Sequence, residues 1–159
     1  MFTIIFSAVI GLVMVYVRYR ENQKENANQD NLDLTNFTKY DFSKTFVILY
    51  GIVILIGIAS AIYGFVEKQD TTVAMGIIIT LLFVSEAIGA KNKYCIYYNE
   101  YALSSRGKLI RYRDIKDFEF IKNIGFAWVK VHTYTNETIS ISRKSYNIIR
   151  KLYDQKVKK

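Results

Sequence analysis

Three apolar runs, at residues 2–17, 46–66 and 71–90, decide most of what this chain can fold into. About 20 residues of α-helix cross the hydrocarbon core of a bilayer. The second and third runs reach that length. The first reaches it when Tyr16 and Tyr19 are taken as aromatic anchors in the interface. No basic residue precedes the first run, while Arg18 and Arg20 follow it. That order is wrong for a cleaved signal peptide and right for a retained span with its N-terminus outside.

Charge divides the chain at Ala90. From residue 91 onward sixteen Lys/Arg face six Asp/Glu, whereas residues 18–45 hold five of each. With the N-terminus outside, Lys68 is the one positive residue of 22 on the outer side. The positive-inside bias therefore favours that orientation. The resulting expectation is a span at 1–19, a cytoplasmic polar loop at 20–45, a helical hairpin at 46–90 turning at 67–70, and a small cytoplasmic domain at 91–159. The loop is Asn-rich with almost nothing to bury and is expected to be flexible. Its N-x-T match at Asn36, like that at Asn136, falls on the cytoplasmic side and reads as accidental.

Within the spans, Ser7/Gly11, Gly57/Ala61, Ser60/Gly64 and Ser85/Gly89 are small residues four apart, a spacing that lets helices approach closely in lipid. Spacing alone does not say whether the approach is within one chain or between copies. Glu86 is the sole ionisable residue inside a span. It has two readings: an intramembrane polar site on a proton or cation path, or a structural acid near the cytoplasmic end that reaches headgroups or pairs with Arg18.

Beyond Tyr94 the pattern becomes one of short strands, at 94–98, 101–105, 109–113, 115–121, 126–134 and 138–142. Asn99 with Glu100, the 106–108 segment, 122–125 and 135–137 supply the turns. The period then lengthens toward 3.6, and Tyr146, Ile149 and Tyr153, with Ile148 and Leu152, form a stripe on a helix at 144–156 capped by Ser142. In the 126–134 strand, Ala127, Val129, Val131 and Thr133 share one face; Phe126, Trp128, Lys130, His132 and Tyr134 share the other. Either face could be core.

The fold class is thus a membrane anchor of three transmembrane helices plus a small α+β domain. Antiparallel strands followed by one helix is the order of a pleckstrin-homology-like sheet or barrel capped by a C-terminal helix. Residues 101–120, YALSSRGKLIRYRDIKDFEF, resemble bacterial pleckstrin-homology-like domains, a resemblance that gives Ile115 the role of plugging the barrel. In span order, in the loop after span one and in the β-rich C-terminal segment, the whole chain resembles the YobD-like family of three-span bacterial inner-membrane proteins. That resemblance implies a location and an architecture and brings no site residue.

Catalytic chemistry finds no support. His132 is the single histidine and Cys95 the single cysteine, which excludes an internal disulfide and argues against metal ligation or a His-based triad. Cys95 reads as a small buried strand residue. No phosphate-cradling glycine loop surrounds Gly107. Asp117 and Glu119 share a strand face, but with Arg111, Arg113 and Lys116 near they read as ion pairs and not as an acid/base couple. No enzyme and no cofactor is expected. The candidate lipid- or partner-binding residues are Arg106, Lys108, Arg111, Arg113, Arg143 and Lys144, with Lys156, Lys158 and Lys159 closing the chain. Each cation held near anionic lipid contributes about 1 kcal/mol. The same cations also read as a solvated face that merely obeys the positive-inside bias. The expected function is therefore a non-enzymatic membrane protein presenting a basic module to membrane lipids, a protein partner or a second copy of itself, with no nucleic acid. The alternative is a small accessory subunit of a transporter or channel assembly, recognised through Glu86 and the helix-packing pairs.

Overall fold

The computed structural model describes residues 1–123 and 126–157, without the side chains of 122, 123, 126, 127 and 157. The chain forms two compact units, Met1–Lys24 with Ser43–Lys91, and Glu25–Phe42 with Asn92–Lys159.

The first unit is built from α1 (Phe2–Asp30), α2 (Ser43–Val66) and α3 (Asp70–Tyr94), each long and apolar enough to cross a membrane. In hydrocarbon a helix satisfies its backbone polar groups internally, so three such helices make this unit a multi-pass anchor. Phe2, Ile5, Val9, Leu12, Val13 and Tyr16 of α1 are exposed, a surface suited to lipid. Small residues fill the opposite, inner positions. Ser7 and Gly11 are buried, and Gly11 abuts Leu81 of α3. Gly57 and Gly76 face each other across α2 and α3, with Thr80 beside Gly57 and Ala61 beside Gly76. Gly64 packs on Thr72 and Val73 near the α2–α3 turn. The amino group of Met1 pairs with the Asp70 carboxylate at that same turn. Gly11, Gly57, Ala61 and Gly64 of these pairs therefore pack within the chain, which the spacing had left open.

The second unit contains β1 (Thr38–Asp41), β2 (Cys95–Tyr98), β3 (Ala102–Ser105), β4 (Lys108–Arg111), β5 (Ile115–Asn123), β6 (Phe126–Thr133), β7 (Thr138–Ser142) and α4 (Arg143–Val157). Strands β1-β2-β3-β4 form one antiparallel sheet and β5-β6-β7 a second. Helix α4 closes the unit: its Ile149 is fully buried, and Ser142 Oγ accepts the Ser145 N–H at 3.1 Å as the expected cap. One core collects Ile96, Leu103, Ile110, Ile115, Val131 and Ile141. Val129, Val131 and Thr133 are buried while Trp128, Lys130 and His132 are only partly so, which assigns the smaller face of β6 to the core. Phe126 and Ala127 lie outside the described side chains, and the expected turn at 122–125 falls partly outside the described residues.

The expected flexible loop at 20–45 is corrected. Helix α1 continues to Asp30, and Thr38–Asp41 is a strand. A polar run without Gly or Pro extends an existing helix at little cost, because nucleation has already occurred in the apolar segment. Its last turns are then held by the β3–β4 turn, and β1 by the register Thr38↔Tyr98, Tyr40↔Ile96 and Asp41↔Cys95. The unit expected at 91–159 therefore includes Glu25–Phe42, and the α2–α3 hairpin is inserted in the chain between its first and second strands.

Candidate functional site

The basic residues singled out from the sequence do not form one patch. Strand β4 separates them: Lys108 begins it and Arg111 ends it, about 10 Å apart at the rise of a strand.

At the first end lies the Arg106–Gly107 turn. Both residues have positive φ, 53° and 69°, the pattern of a two-residue hairpin whose twist matches its strands. The last turns of α1 cover this turn. Gln29 Oε1 accepts the Gly107 N–H at 2.9 Å, and Gln29 Nε2 donates to Ser104 Oγ at 3.3 Å. The small side chains of Ala102 and Ser104 are what allow a helix to lie on the outer face of β3, so that all four β3 residues are buried. Arg106 is consequently only partly exposed, and its Nε has no hydrogen-bond partner among the described residues. It is a packed turn residue, while Lys108 remains exposed.

Gly107 is required twice at this point. Its φ falls where a side chain costs about 1–2 kcal/mol. In addition, a Cβ there would meet Asn28 Cβ at 2.5 Å and the Glu25 carbonyl oxygen at 2.8 Å. Gly107→Ala is expected to lower the thermal midpoint of the detergent-solubilised protein by several degrees. Gly107→Asn should be no milder, although asparagine tolerates this φ, because the contact with α1 remains. Recovery by asparagine would show that conformation alone matters.

At the other end of β4, Arg111 and Arg113 are exposed and line a groove of about 260 Å³ with Glu100, Tyr101, Tyr112 and Lys156. Arg113 belongs to the short 3-10 turn Tyr112–Asp114. The floor of the groove is fixed by several bonds. Asn99 Oδ1 accepts the N–H groups of Tyr101 and Ala102 at 2.8 and 2.9 Å, closing the expected turn. Tyr112, 1% exposed, donates its hydroxyl to the Asn99 carbonyl at 2.9 Å. Burial raises the Tyr112 pKa, which keeps that hydroxyl a neutral donor. Lys156 Nζ lies 3.3 Å from Glu100 and 5.0 Å from the Tyr101 ring centre. Arg111 and Arg113 make no ion pair among the described residues.

Arg143 and Lys144 are a third group, exposed at the start of α4, with Lys144 Nζ 4.3 Å above the Phe42 ring. Lys158 and Lys159 lie outside the described residues. The acids pair differently from expectation. Glu119 bonds His132 Nε2 at 2.9 Å and lies 4.0 Å from Lys130, since β5 pairs with β6 and not with the segment that carries Arg111 and Arg113. The His132 hydrogen bond, assisted by Lys130, holds the Glu119 carboxyl below its usual pKa. Cys95 is buried at the start of β2.

Glu86, in the first unit, is partly buried on α3. Three residues further along α3, the Arg18 guanidinium packs on Gly89, while Arg18 Nη1 donates to Glu21 Oε2 at 3.1 Å. A cation thus stands at the Glu86 end of α3.

Spacing in the sequence pointed to Arg111 and Arg113 and counted Lys156 among the cations that close the chain. It gave no sign of Glu100 and Tyr101 as groove residues or of Lys156 beside the arginines, a grouping made only by the β2–β3 turn and the last turns of α4. No protein-family model, no curated protein and no solved structure matches the chain.

Proposed function

We propose that this chain is a non-enzymatic protein of the bacterial inner membrane, with its N-terminus outside, that presents a basic pleckstrin-homology-like module on the cytoplasmic side to a protein partner or to anionic lipid. The observation that carries the reading is the second unit's order of elements: sheets of four and three antiparallel strands, then a closing helix, with Ile115 1% exposed in their core. The charge count supports the orientation, because only Lys68 among the Lys and Arg residues would face outward. Module cations next to an anionic leaflet would each add to attachment. The YobD-like resemblance is in keeping with this location. A role centred on the spans has less support, since Gly11, Gly57, Ala61, Gly64 and Gly76 are already engaged inside the three-helix unit.

The test uses the full-length protein with a photo-reactive amino acid in place of Lys108 or Lys144. In nanodiscs it is expected to cross-link to anionic phospholipid in preference to phosphatidylcholine, or in native membranes to one recurring protein. Loss of both adducts at both positions would overturn the reading.

A further inference from the structure

We propose that the groove between the β2–β3 turn, the Arg111–Arg113 corner and the last turns of α4 binds a phosphate monoester through Arg111 and Arg113. The proposal names a ligand for the basic module and so rests on the reading of that module as a binding module. It does not depend on membrane orientation.

Charge balance is the first argument. Lys156 is compensated by Glu100 at 3.3 Å. Arg111 and Arg113 have no such partner among the described residues, yet both line one concavity. Two guanidinium side chains lining one groove carry like charge that an entering anion neutralises. A phosphate monoester carries about −1.5 to −2 charges near neutral pH, which matches two arginines better than a carboxylate does. Guanidinium groups also present planar pairs of N–H donors to phosphate oxygens, a geometry that lysine lacks.

Rigidity is the second argument. The floor is held by the Asn99 turn, by the Tyr112 hydroxyl bond and by the Tyr112 N–H to the Tyr101 carbonyl at 3.0 Å. Arg111 ends a paired strand, and Arg113 sits in the short turn that follows it. Little backbone must be ordered when the anion arrives, so little affinity is lost to ordering. Lys156 is the reserve donor: an entering phosphate competes with Glu100 for its ammonium, while the Tyr101 ring keeps the side chain in place.

The phosphate could belong to a soluble metabolite or to a lipid headgroup, and the test separates these sources. The full-length protein in phosphatidylcholine nanodiscs is treated with phenylglyoxal, and modification at each arginine is followed by mass spectrometry. In one arm methyl phosphate is added. In the other the nanodisc contains phosphatidic acid and no soluble phosphate. The expected result is several-fold slower modification of Arg111 and Arg113 in one arm, with Arg143 unaffected. The protecting arm identifies the source. Arg111→Gln with Arg113→Gln, both at exposed positions, should abolish methyl phosphate or phosphatidic acid binding without changing the thermal midpoint. Protection in neither arm, or equal protection of Arg143, would overturn the proposal. If the groove fails while cross-linking at Lys108 or Lys144 persists, the module reading stands and only this ligand is lost; failure of both removes the module reading itself.

Discussion

Replacing the α2–α3 hairpin by a two-residue Asn-Gly turn is expected to convert the second unit into a water-soluble protein that folds without detergent. The spliced chain joins residues 25–42 to residues 94–159. The geometry invites this junction. Asp41 pairs with Cys95 at the end of the β1–β2 ladder, and the Phe42 N–H bonds the Tyr94 carbonyl at 3.2 Å. Phe42 and Tyr94 therefore stand opposite each other, the separation that a two-residue hairpin turn closes. Residues 92–159 alone should not fold to the same state. They lack β1, so β2 is left with an open edge and Tyr40 is missing from the surface of the core. Tyr40 is partly buried, so its loss removes a fraction of the about 1.5–3 kcal/mol that full burial of a large apolar side chain contributes. A domain of roughly 70 residues has a margin of only about 3–5 kcal/mol, so losing the strand, the aromatic and the Gln29 contacts should leave most of the fragment unfolded. Urea denaturation followed by circular dichroism checks the spliced chain and the fragment side by side. A cooperative transition in the fragment equal to that of the spliced protein would show that β1 is dispensable.

The same strand explains which parts of the fold could be read in advance. Strands β2 to β7 and helix α4 were legible because their periodicity is local: Val129, Val131 and Thr133 alternate with partly exposed partners, and Ile149 sits in a stripe of period 3.6. Thr38–Asp41 has no such signature. It is four residues long with two charged side chains, and it becomes a strand because β2, beyond the helical hairpin, offers an unpaired edge. The helical state of Glu21 to Asp30 was hidden for a related reason. Asparagine-rich sequence is a weak helix former, and what holds the end of α1 is tertiary, the Gln29 bonds to Ser104 and Gly107. The candidate site divides along the same line. Arg111 and Arg113 are two residues apart and visible in the sequence. Tyr101 and Lys156 complete the groove only after β3 has turned and α4 has packed.

Gly76→Leu is expected to be the most damaging single substitution in the membrane unit. A Cβ at Gly76 would stand 2.5 Å from the Ala61 nitrogen and 2.7 Å from the Gly57 carbonyl oxygen. Both are backbone atoms of α2, so no rotamer change can relieve the contact, and the helices must separate along their shared face. Gly57 is the reciprocal position, where an added Cβ would stand 2.6 Å from Thr80 Oγ1 and 3.1 Å from the Gly76 carbonyl oxygen. In lipid the attraction between helices comes chiefly from close packing, since apolar side chains gain nothing by leaving lipid for protein. Over-packing such a contact costs about 1–3 kcal/mol even where side chains can yield, and here they cannot. Gly51→Leu is the internal control. It makes the same change on the partner helix α2, but a Cβ there meets nothing within 4 Å. Thermal unfolding of the full-length variants in a mild detergent measures the difference. The leucine at 76 should lower the midpoint by many degrees, while the leucine at 51 should leave it unchanged. Equal midpoints for the two variants would place the α2–α3 contact elsewhere, because only a close backbone approach at Gly76 distinguishes the two sites.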